Sequence, residues 1–380
     1  TKEVGEQLAA SVSVLPGIGV YRACSNLRRF VYRGSPLNTY AALLIDLADA
    51  LNCVDPDLVV LDISHGVNYL PVLGREAVHK SIRLYSALRG KKVVVAVVNS
   101  DPVQEPGQSS HIHLVELRTY EEKPLELFES TVSDLSMEEL KPRALERVEP
   151  PKEIQELSKL IDYTSKSYTD LVNALTRASS YGLVLYILTR MAGLDLGELE
   201  RDISSLEGKV KDALYSRSVR LEGDSVTVEH KYAVTPGVVD LLSALRLLKR
   251  LREAIKLDFK AGEGWVELEL LEKLGGELGL SRIASKILMY EVQDIEKHVN
   301  ALESLEDAIA REKLREVLME AEHKARSRPE QRCQANERHF YAHAGLERNI
   351  VEVKKQNEKI YIRYIPACLE LVNEIIAKGD

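Results

Sequence analysis

Leu58-Val-Val-Leu-Asp-Ile63 is a short run of aliphatic residues, and Lys92-Val-Val-Val-Ala-Val-Val98 is a second one further along the chain. Such near-continuous β-branched runs are typical of strands buried on both faces of a parallel sheet. Between them, residues 71–88 place apolar side chains at helical spacing, with Pro71 suited to the first turn and Gly90 to the end of the helix. Strand, helix and strand in this order predict a right-handed crossover in a doubly wound α/β sheet.

Three further segments extend this α/β region. Leu37–Leu51 has a helical pattern, and Ile112–Leu117 is typical of a strand at the edge of a sheet. Val12–Leu15 is a short apolar run that stops at Pro16-Gly17-Ile18-Gly19, so we expect a strand followed by a turn. These segments together predict one α/β domain at residues 1–150.

The composition changes after Arg118. Residues 120–151 are rich in Glu, Lys and Pro, which predicts a connector with at most a short helix near Met137–Leu140. Beyond it, apolar residues recur every three or four positions, as in helices. The clearest predicted helices of this part are Ile154–Ser165, Tyr168–Met191, Leu196–Tyr215, Glu337–Ala344 and Pro366–Ala377.

One segment interrupts the helical pattern. Two alternating runs between Val219 and His230 flank Glu222-Gly-Asp-Ser225, which predicts a β-hairpin. We therefore expect a helical linker region with a hairpin at 151–235 and a helical domain at 236–380.

Length and composition limit the class of protein. The chain has 380 residues, of which 45% are hydrophobic and 29% charged, so it can bury cores in two or three domains. No apolar run approaches the roughly 20 residues that span a bilayer and no apolar leader opens the chain, so we expect a cytoplasmic protein. Cys24, Cys53, Cys333 and Cys368 stand far apart, which predicts reduced thiols with neither a disulfide framework nor a zinc site.

The charge balance argues against a protein that coats nucleic acid. The formal net charge is −8, from 51 Lys and Arg against 59 Asp and Glu. A protein that binds long duplexes over a broad surface is normally basic. Any contact with nucleic acid should therefore be local, as in a nuclease.

The loop after the first predicted strand is a candidate ligand site. It reads Ser64-His65-Gly66-Val67-Asn68-Tyr69, and Asn99 ends the neighbouring strand. The carboxyl ends of strands form the ligand crevice of open α/β sheets, and a glycine lets the backbone approach a bound group. The alternative is a turn in which Ser64 or Asn68 only caps the next helix. A complete GxGxxG or Walker motif is absent from the sequence, which disfavours a nicotinamide oxidoreductase or a P-loop ATPase.

Near the other end of the chain, Glu337-Arg338-His339-Phe-Tyr-Ala-His343-Ala-Gly345 contains an RxxxxH spacing. Arginine holds phosphate through a fork of donors, and histidine moves protons near neutral pH, so Arg338 and His343 could cleave a phosphodiester without a metal. The same spacing also occurs by chance in many helices.

Helical geometry adds a condition. A five-residue offset turns His343 by about 140° from Arg338 around a straight helix. The two groups can meet if the helix ends near Gly345, or if two copies face each other across a two-fold axis. A catalytic role therefore predicts a dimer.

The two motifs, in this order and context, resemble those of the CRISPR-associated ancillary ribonucleases of type III systems. Those proteins join an N-terminal Rossmann-like CARF sensor domain to a C-terminal HEPN ribonuclease domain. Here Asp62-Ile-Ser-His-Gly-Val-Asn-Tyr69 follows a strand, and Arg338-His-Phe-Tyr-Ala-His-Ala-Gly345 lies in a helical region. The resemblance covers the whole architecture, although its specific motifs occupy only about two dozen residues.

The resemblance implies roles for particular residues. Ser64, His65, Gly66 and Asn68 would contact a cyclic oligoadenylate, usually the tetramer, across a dimer axis, with Asn99 nearby and the Gly17–Gly19 turn closing the site. Arg338 and His343 match the catalytic pair, and His339 stands where relatives often have Asn. The implied activity is metal-independent cleavage of single-stranded RNA by a homodimer or higher homo-oligomer that cyclic tetra-adenylate activates.

Two other functions stay open. A ligand-responsive regulator could bind DNA through its helical half, where Arg246–Lys256 is the most basic stretch, although this stretch also fits an amphipathic core helix. Alternatively, the α/β domain could itself cleave the cyclic nucleotide, with His65 as the acid/base group.

Overall fold

A computed structural model describes residues 12–22, 29–64, 69–102, 109–133, 152–232, 234, 236–255, 264–301, 309–311, 314 and 333–378. The described residues form two compact units. The first unit lies within 1–121, 137–163 and 203–243, and the second within 122–136, 164–202 and 244–380. The boundaries predicted at residues 150 and 235 stay a prediction. Within this described part, no helix is long and apolar enough to cross a membrane.

Helices and strands alternate at first, and helices then predominate. The helices are α1 (Pro36–Val54), α2 (Tyr69–Arg89), α3 (Pro124–Ser133), α4 (Lys152–Ser180), α5 (Val184–Ala192), α6 (Leu196–Tyr215), α7 (Pro236–Ala254), α8 (Leu268–Leu278), α9 (Arg282–Asn300), α10 (Glu337–Ala342) and α11 (Leu369–Lys378). The strands are β1 (Gly19–Arg22), β2 (Arg29–Arg33), β3 (Leu58–Asp62), β4 (Val93–Ser100), β5 (Ile112–Tyr120), β6 (Arg217–Glu222), β7 (Ser225–His230), β8 (Val266–Glu267), β9 (Ile309–Ala310), β10 (Val351–Gln356) and β11 (Lys359–Tyr364). This order confirms the predicted class, an α/β region followed by a mainly helical one.

The predicted strand–helix–strand unit is present in the first compact unit. Strands β3 and β4 pair in parallel, and β5 pairs antiparallel with β4 as the edge strand. Val93, Val95 and Val97 are fully buried and pack with Ile82 and Tyr85 of α2. The aliphatic run and the helical spacing thus predicted this part of the fold correctly.

The expectation that both faces of the sheet are buried is wrong for β3. Leu58 and Val60 are 56% and 58% exposed, while Val59 and Leu61 pack against the core. Successive side chains of a strand point to opposite faces, and α1 and α2 supply core residues to one face only. An aliphatic run therefore does not by itself show that a strand is covered on both sides.

A second sheet of the first unit has the strand order β1-β2-β7-β6. The hairpin β6–β7 confirms the one predicted around Gly223, and its strand β7 pairs in parallel with β2. Val12–Leu15 is not a strand: residues 12–18 have no regular structure, and Gly19 begins β1 instead. The predicted turn at Gly17–Gly19 therefore precedes a strand and does not follow one.

The second unit contains a sheet that the sequence reading missed. Its order is β8-β11-β10-β9, built around the hairpin of β10 and β11. The turn of this hairpin is Asn357-Glu358, and both residues have positive φ, 53° and 62°. Residues with φ > 0 at both central positions are the mark of the tight turns that join hairpin strands. The helical domain predicted at 236–380 is therefore not all helical.

Two helix predictions need correction. Helix α4 continues through the predicted gap between Ser165 and Tyr168. It ends at Ser180, and the chain turns at Gly182, where φ is +72°. The predicted connector contains α3, whose Leu125 and Phe128 are fully buried. The short helix predicted near Met137–Leu140 lies outside the described residues.

Helix α7 contains most of the basic stretch Arg246–Lys256. It buries Leu247, Leu248 and Leu251, which agrees with the interpretation of this stretch as an amphipathic core helix.

The prediction about the cysteines is also wrong in part. Cys333 and Cys368 form a disulfide across a sequence separation of 35 residues. Cys53 is free and exposed, and Cys24 lies outside the described residues. A large separation in sequence does not prevent two cysteines from forming a disulfide. Here the hairpin β10–β11 lies between them and reverses the direction of the chain.

Candidate functional site

The short helix α10 carries the RxxxxH motif. Asn336 caps it, with its side-chain oxygen accepting a hydrogen bond from the Arg338 backbone N–H at 2.9 Å. Phe340 is fully buried and anchors the helix. His343 stands at its C-terminal cap, and Gly345 follows with φ +72°. A side chain at Gly345 would meet the hydroxyl of Tyr364 at 2.9 Å, so the chain needs glycine to turn there.

His343 is hydrogen-bonded to a carboxylate that pairs in turn with a buried arginine. Its Nδ1 lies 2.8 Å from Oε1 of Glu291 on α9. A carboxylate only accepts, so Nδ1 carries the proton and Nε2 is left as the other functional nitrogen. The second oxygen of Glu291 accepts from Arg311 at 2.6 Å. Since the His343 side chain is 44% exposed and that of Arg311 only 4%, the network is buried on one side and open on the other.

His339 lies beside His343. The two imidazole rings are one helical turn apart in sequence, and their centroids are 6.3 Å apart. Glu347 is near both: burial raises the pKa of its carboxyl group, and the two imidazoles act in the opposite direction. Within the described residues, no group of three His, Cys, Asp or Glu side chains is arranged to hold a metal ion.

Arg338 faces a different space. It lines a cavity of about 810 Å³ together with Arg177, Tyr181, Asn336 and Tyr341; we call this the Tyr181 cavity. Neither His339 nor His343 is among its lining residues. Among the described residues, the guanidinium of Arg338 has no carboxylate partner. The structure thus brings His339 and His343 together but does not bring Arg338 and His343 into one cavity of a single chain.

Sequence reasoning missed Glu291 and Arg311. Glu291 precedes His343 by 52 positions, and Arg311 is 20 positions from Glu291. The sequence offers only a weak sign, because both lie in a charge-rich stretch that reads as a solvated helix surface.

The predicted ligand loop is partly described. The hydroxyl of Ser64 bonds to the carboxylate of Asp62 and accepts from the Ser100 backbone N–H at 2.7 Å. Ser64 is thereby fixed to the end of β4. Asn99 is exposed on the same strand, paired in register with His113. His65, Gly66 and Asn68 lie outside the described residues.

Gly17 lies in an aromatic cavity of the same unit. The cavity has a volume of about 470 Å³, and its lining includes Gly17, Tyr21, Tyr32 and Tyr69. Tyr69, the last residue of the predicted ligand loop, begins α2, and its hydroxyl accepts from the Ile18 backbone N–H at 3.0 Å. The structure therefore joins the Gly17 segment to the helix that follows the loop.

Comparison with known proteins finds matches to both ends of the chain. Residues 1–102 match the family model of the CARF domain of CRISPR system endoribonuclease Csx1, and residues 281–366 match the model of its HEPN domain. The Csx1 endoribonuclease of Methanocaldococcus jannaschii is 34% identical over 107 residues. That stretch covers 28% of this chain and 22% of the relative's length.

Proposed function

We propose, from the premise that this chain combines the CARF and HEPN domains of the Csx1 family of CRISPR-associated proteins, that it is a ligand-activated endoribonuclease. The substrate we assign is single-stranded RNA. The activator is a cyclic oligoadenylate, and cyclic tetra-adenylate is the ring size we expect to act. Arg338, His343 and His339 are the residues to which we assign the reaction.

The proposed chemistry uses the substrate's own nucleophile. The 2′-hydroxyl attacks the adjacent phosphorus, and the bond from phosphorus to the 5′-oxygen breaks. The 2′-hydroxyl loses a proton and the departing 5′-oxygen gains one, so the products are a 2′,3′-cyclic phosphate and a 5′-hydroxyl. His343 moves the proton, and Arg338 stabilises the charge that develops on the phosphoryl oxygens.

The observation that carries this proposal is the hydrogen bond of 2.8 Å between His343 Nδ1 and Glu291. A histidine that acts on a substrate through one ring nitrogen needs a partner that fixes the other nitrogen and the ring orientation. Glu291 supplies this partner, and the buried side chain of Arg311 holds Glu291 in turn. His339, whose ring is 6.3 Å away, is close enough to share in proton transfer.

The aromatic cavity supports binding of the activator to the first unit. Adenine rings stack on aromatic side chains, and the cavity is lined by Tyr21, Tyr32 and Tyr69, of which Tyr69 follows Asn68 in the chain. Ser64, fixed to Ser100, holds the near end of that loop. We assign Ser64, His65, Gly66, Asn68, Asn99 and Gly17 to this site, and a homodimer as the form that binds the activator.

Cleavage of a labelled single-stranded RNA, with and without cyclic tetra-adenylate, tests the proposal. We expect cleavage by the parent chain only when the activator is present, and a loss of at least about 100-fold for His343→Ala. His298→Ala is the matched control, since His298 lies on α9 and contacts Asp294, through its carbonyl oxygen and its carboxylate, whereas His343 bonds to Glu291. A DNA version of the substrate, which lacks the 2′-hydroxyl, should stay intact; its cleavage would refute the assigned nucleophile.

A further inference from the structure

The Tyr181 cavity has an aromatic wall of two closely packed, tilted rings. The ring centroids of Tyr181 and Tyr341 are 4.2 Å apart, with an angle of 32° between the planes. Tyr341 covers one side of Tyr181, yet 44% of Tyr181 is exposed. The volume of about 810 Å³ is within the range of roughly 300–1,000 Å³ that is typical of sites for small organic groups. A further flat ring could extend this stack.

Hydrogen bonds to carbonyl oxygens of α11 hold the residues of this wall in place. The guanidinium of Arg177 donates to the carbonyl oxygens of Ile376 and Ala377 at 2.6 and 2.8 Å. The hydroxyl of Tyr341 donates to the carbonyl oxygen of Ile375 at 3.3 Å. Gly182 turns the chain after Tyr181, and a Cβ there would lie 3.0 Å from Cβ of Ala284. The wall is therefore preformed, which lowers the entropic cost of binding.

The rim of the cavity is polar and includes the proposed phosphate contact. Arg338 lines it, and among the described residues no carboxylate forms an ion pair with this guanidinium, although Glu337 lines the same rim. Asn336 and Glu337 add an amide and a carboxylate, groups that bond to the edges of nucleobases. An aromatic platform beside a free cation is the combination that binds a base and its phosphate in single-stranded nucleic acid.

We propose that the Tyr181 cavity binds one unpaired nucleobase of the RNA, next to the phosphate that Arg338 contacts. The base stacks on the exposed ring of Tyr181, and Asn336 and Glu337 face its edge. This inference rests on the proposed function, since it assigns a subsite to the same substrate. In this proposal, Tyr181 is a residue that positions the RNA strand.

The test measures binding, so that it does not depend on cleavage. The probe is a labelled single-stranded 2′-O-methyl RNA, which lacks the free 2′-hydroxyl, compared with an abasic strand of equal length. We expect Tyr181→Ala to bind the base-bearing strand about 5- to 150-fold more weakly, the loss that stacking of one base predicts. Binding of the abasic strand should stay unchanged.

Two variants serve as controls. Tyr181→Phe keeps the ring and should bind like the parent chain. Tyr290→Ala removes a tyrosine that is 66% exposed in the same unit but does not line the cavity, and it should also bind normally.

Three results would overturn the inference. They are unchanged binding of the base-bearing strand by Tyr181→Ala, an equal loss for both strands, and a shift in oligomeric state without a loss of binding. The last result would identify the cavity as a contact between two copies. If the parent chain binds as expected but does not cut RNA, the proposed function fails while the base site stands.

Discussion

Arg311 is the residue whose surroundings explain how His343 is held. Its side chain is only 4% exposed, and it pairs with Glu291 at 2.6 Å and Asp294 at 3.0 Å. A buried cation is tolerated only when it is paired and hydrogen-bonded. Arg311 also donates to the carbonyl oxygen of Leu346, close after His343. It therefore fixes both the carboxylate that bonds to His343 and the backbone near that histidine.

The first prediction concerns Glu291. In Glu291→Gln the amide oxygen can still accept a hydrogen bond, but the charge that balances Arg311 is lost. The amide can also turn its NH₂ group towards His343, which then loses its fixed orientation. We expect kcat for RNA cleavage to fall by up to about 100-fold with little change in KM, because orientation of a reacting group affects the chemical step. Steady-state cleavage assays over a range of RNA concentrations give both values.

Asp294→Asn is the matched control for this prediction. It removes the other carboxylate that pairs with Arg311 and has no contact with His343. Both variants should lose similar stability, whereas kcat should fall only in Glu291→Gln. Equal kcat values for the two variants would show that Glu291 has only a structural role.

At the scale of elements, local pattern predicted some parts of the fold well. The run in β4 and the helical spacing in α2 agree with the structure because Val93, Val95 and Val97 pack directly on that helix. The hairpin β10–β11 was missed, although its inward positions alternate, with Val353 and Ile362 fully buried. Charged residues such as Lys354 interrupt the apolar positions of these strands, so the alternation is hard to recognise next to the helical patterns around it.

The candidate site also contains some residues that a local pattern predicts and others that it does not. The candidates Arg338, His339 and His343 are visible in the sequence because they lie within one short helix and its cap. Glu291 and Arg311 could not, because only packing between α9 and the chain around His343 brings them there. Short motifs identify groups that react, and tertiary contacts identify groups that position them.

The second prediction concerns the disulfide of the second unit. Cys333–Cys368 closes a loop that contains α10 and the hairpin β10–β11. Such a closure restricts the unfolded chain, so replacing both cysteines by Ser should lower the free energy of unfolding by about 2–4 kcal/mol. Denaturant unfolding of the parent chain and of the double variant, both under non-reducing conditions, measures this difference.

Cys53→Ser controls for the loss of a thiol alone, since Cys53 is exposed and unpaired. Its unfolding should match that of the parent chain. A reductant should destabilise the parent chain but leave the double variant unchanged. If the parent chain is insensitive to the reductant, the disulfide does not contribute to stability.

At the scale of the whole molecule, the chain passes repeatedly between its two units. The boundaries near residues 163, 202 and 243 fall within α4, α6 and α7. Each of these helices therefore has residues in both units. If the activator binds the first unit, we expect α4, α6 and α7 to carry its effect to the second, because the chain runs from one unit to the other within them. Activation still requires that the activator bind two conformations with different affinity.

The last prediction concerns assembly. In one chain Arg338 lines the Tyr181 cavity whereas His343 bonds to Glu291, so we expect Arg338 of one copy to act with His343 of another. Arg338→Ala and His343→Ala should each be inactive alone. After mixing and subunit exchange, half of the dimers combine both variants, and each has one of two Arg–His pairs intact. Activity should then return to about a quarter of the parental value. Exchange can be followed with two differently labelled chains, and a mixture that exchanges but stays inactive would place both groups of each reaction in the same chain.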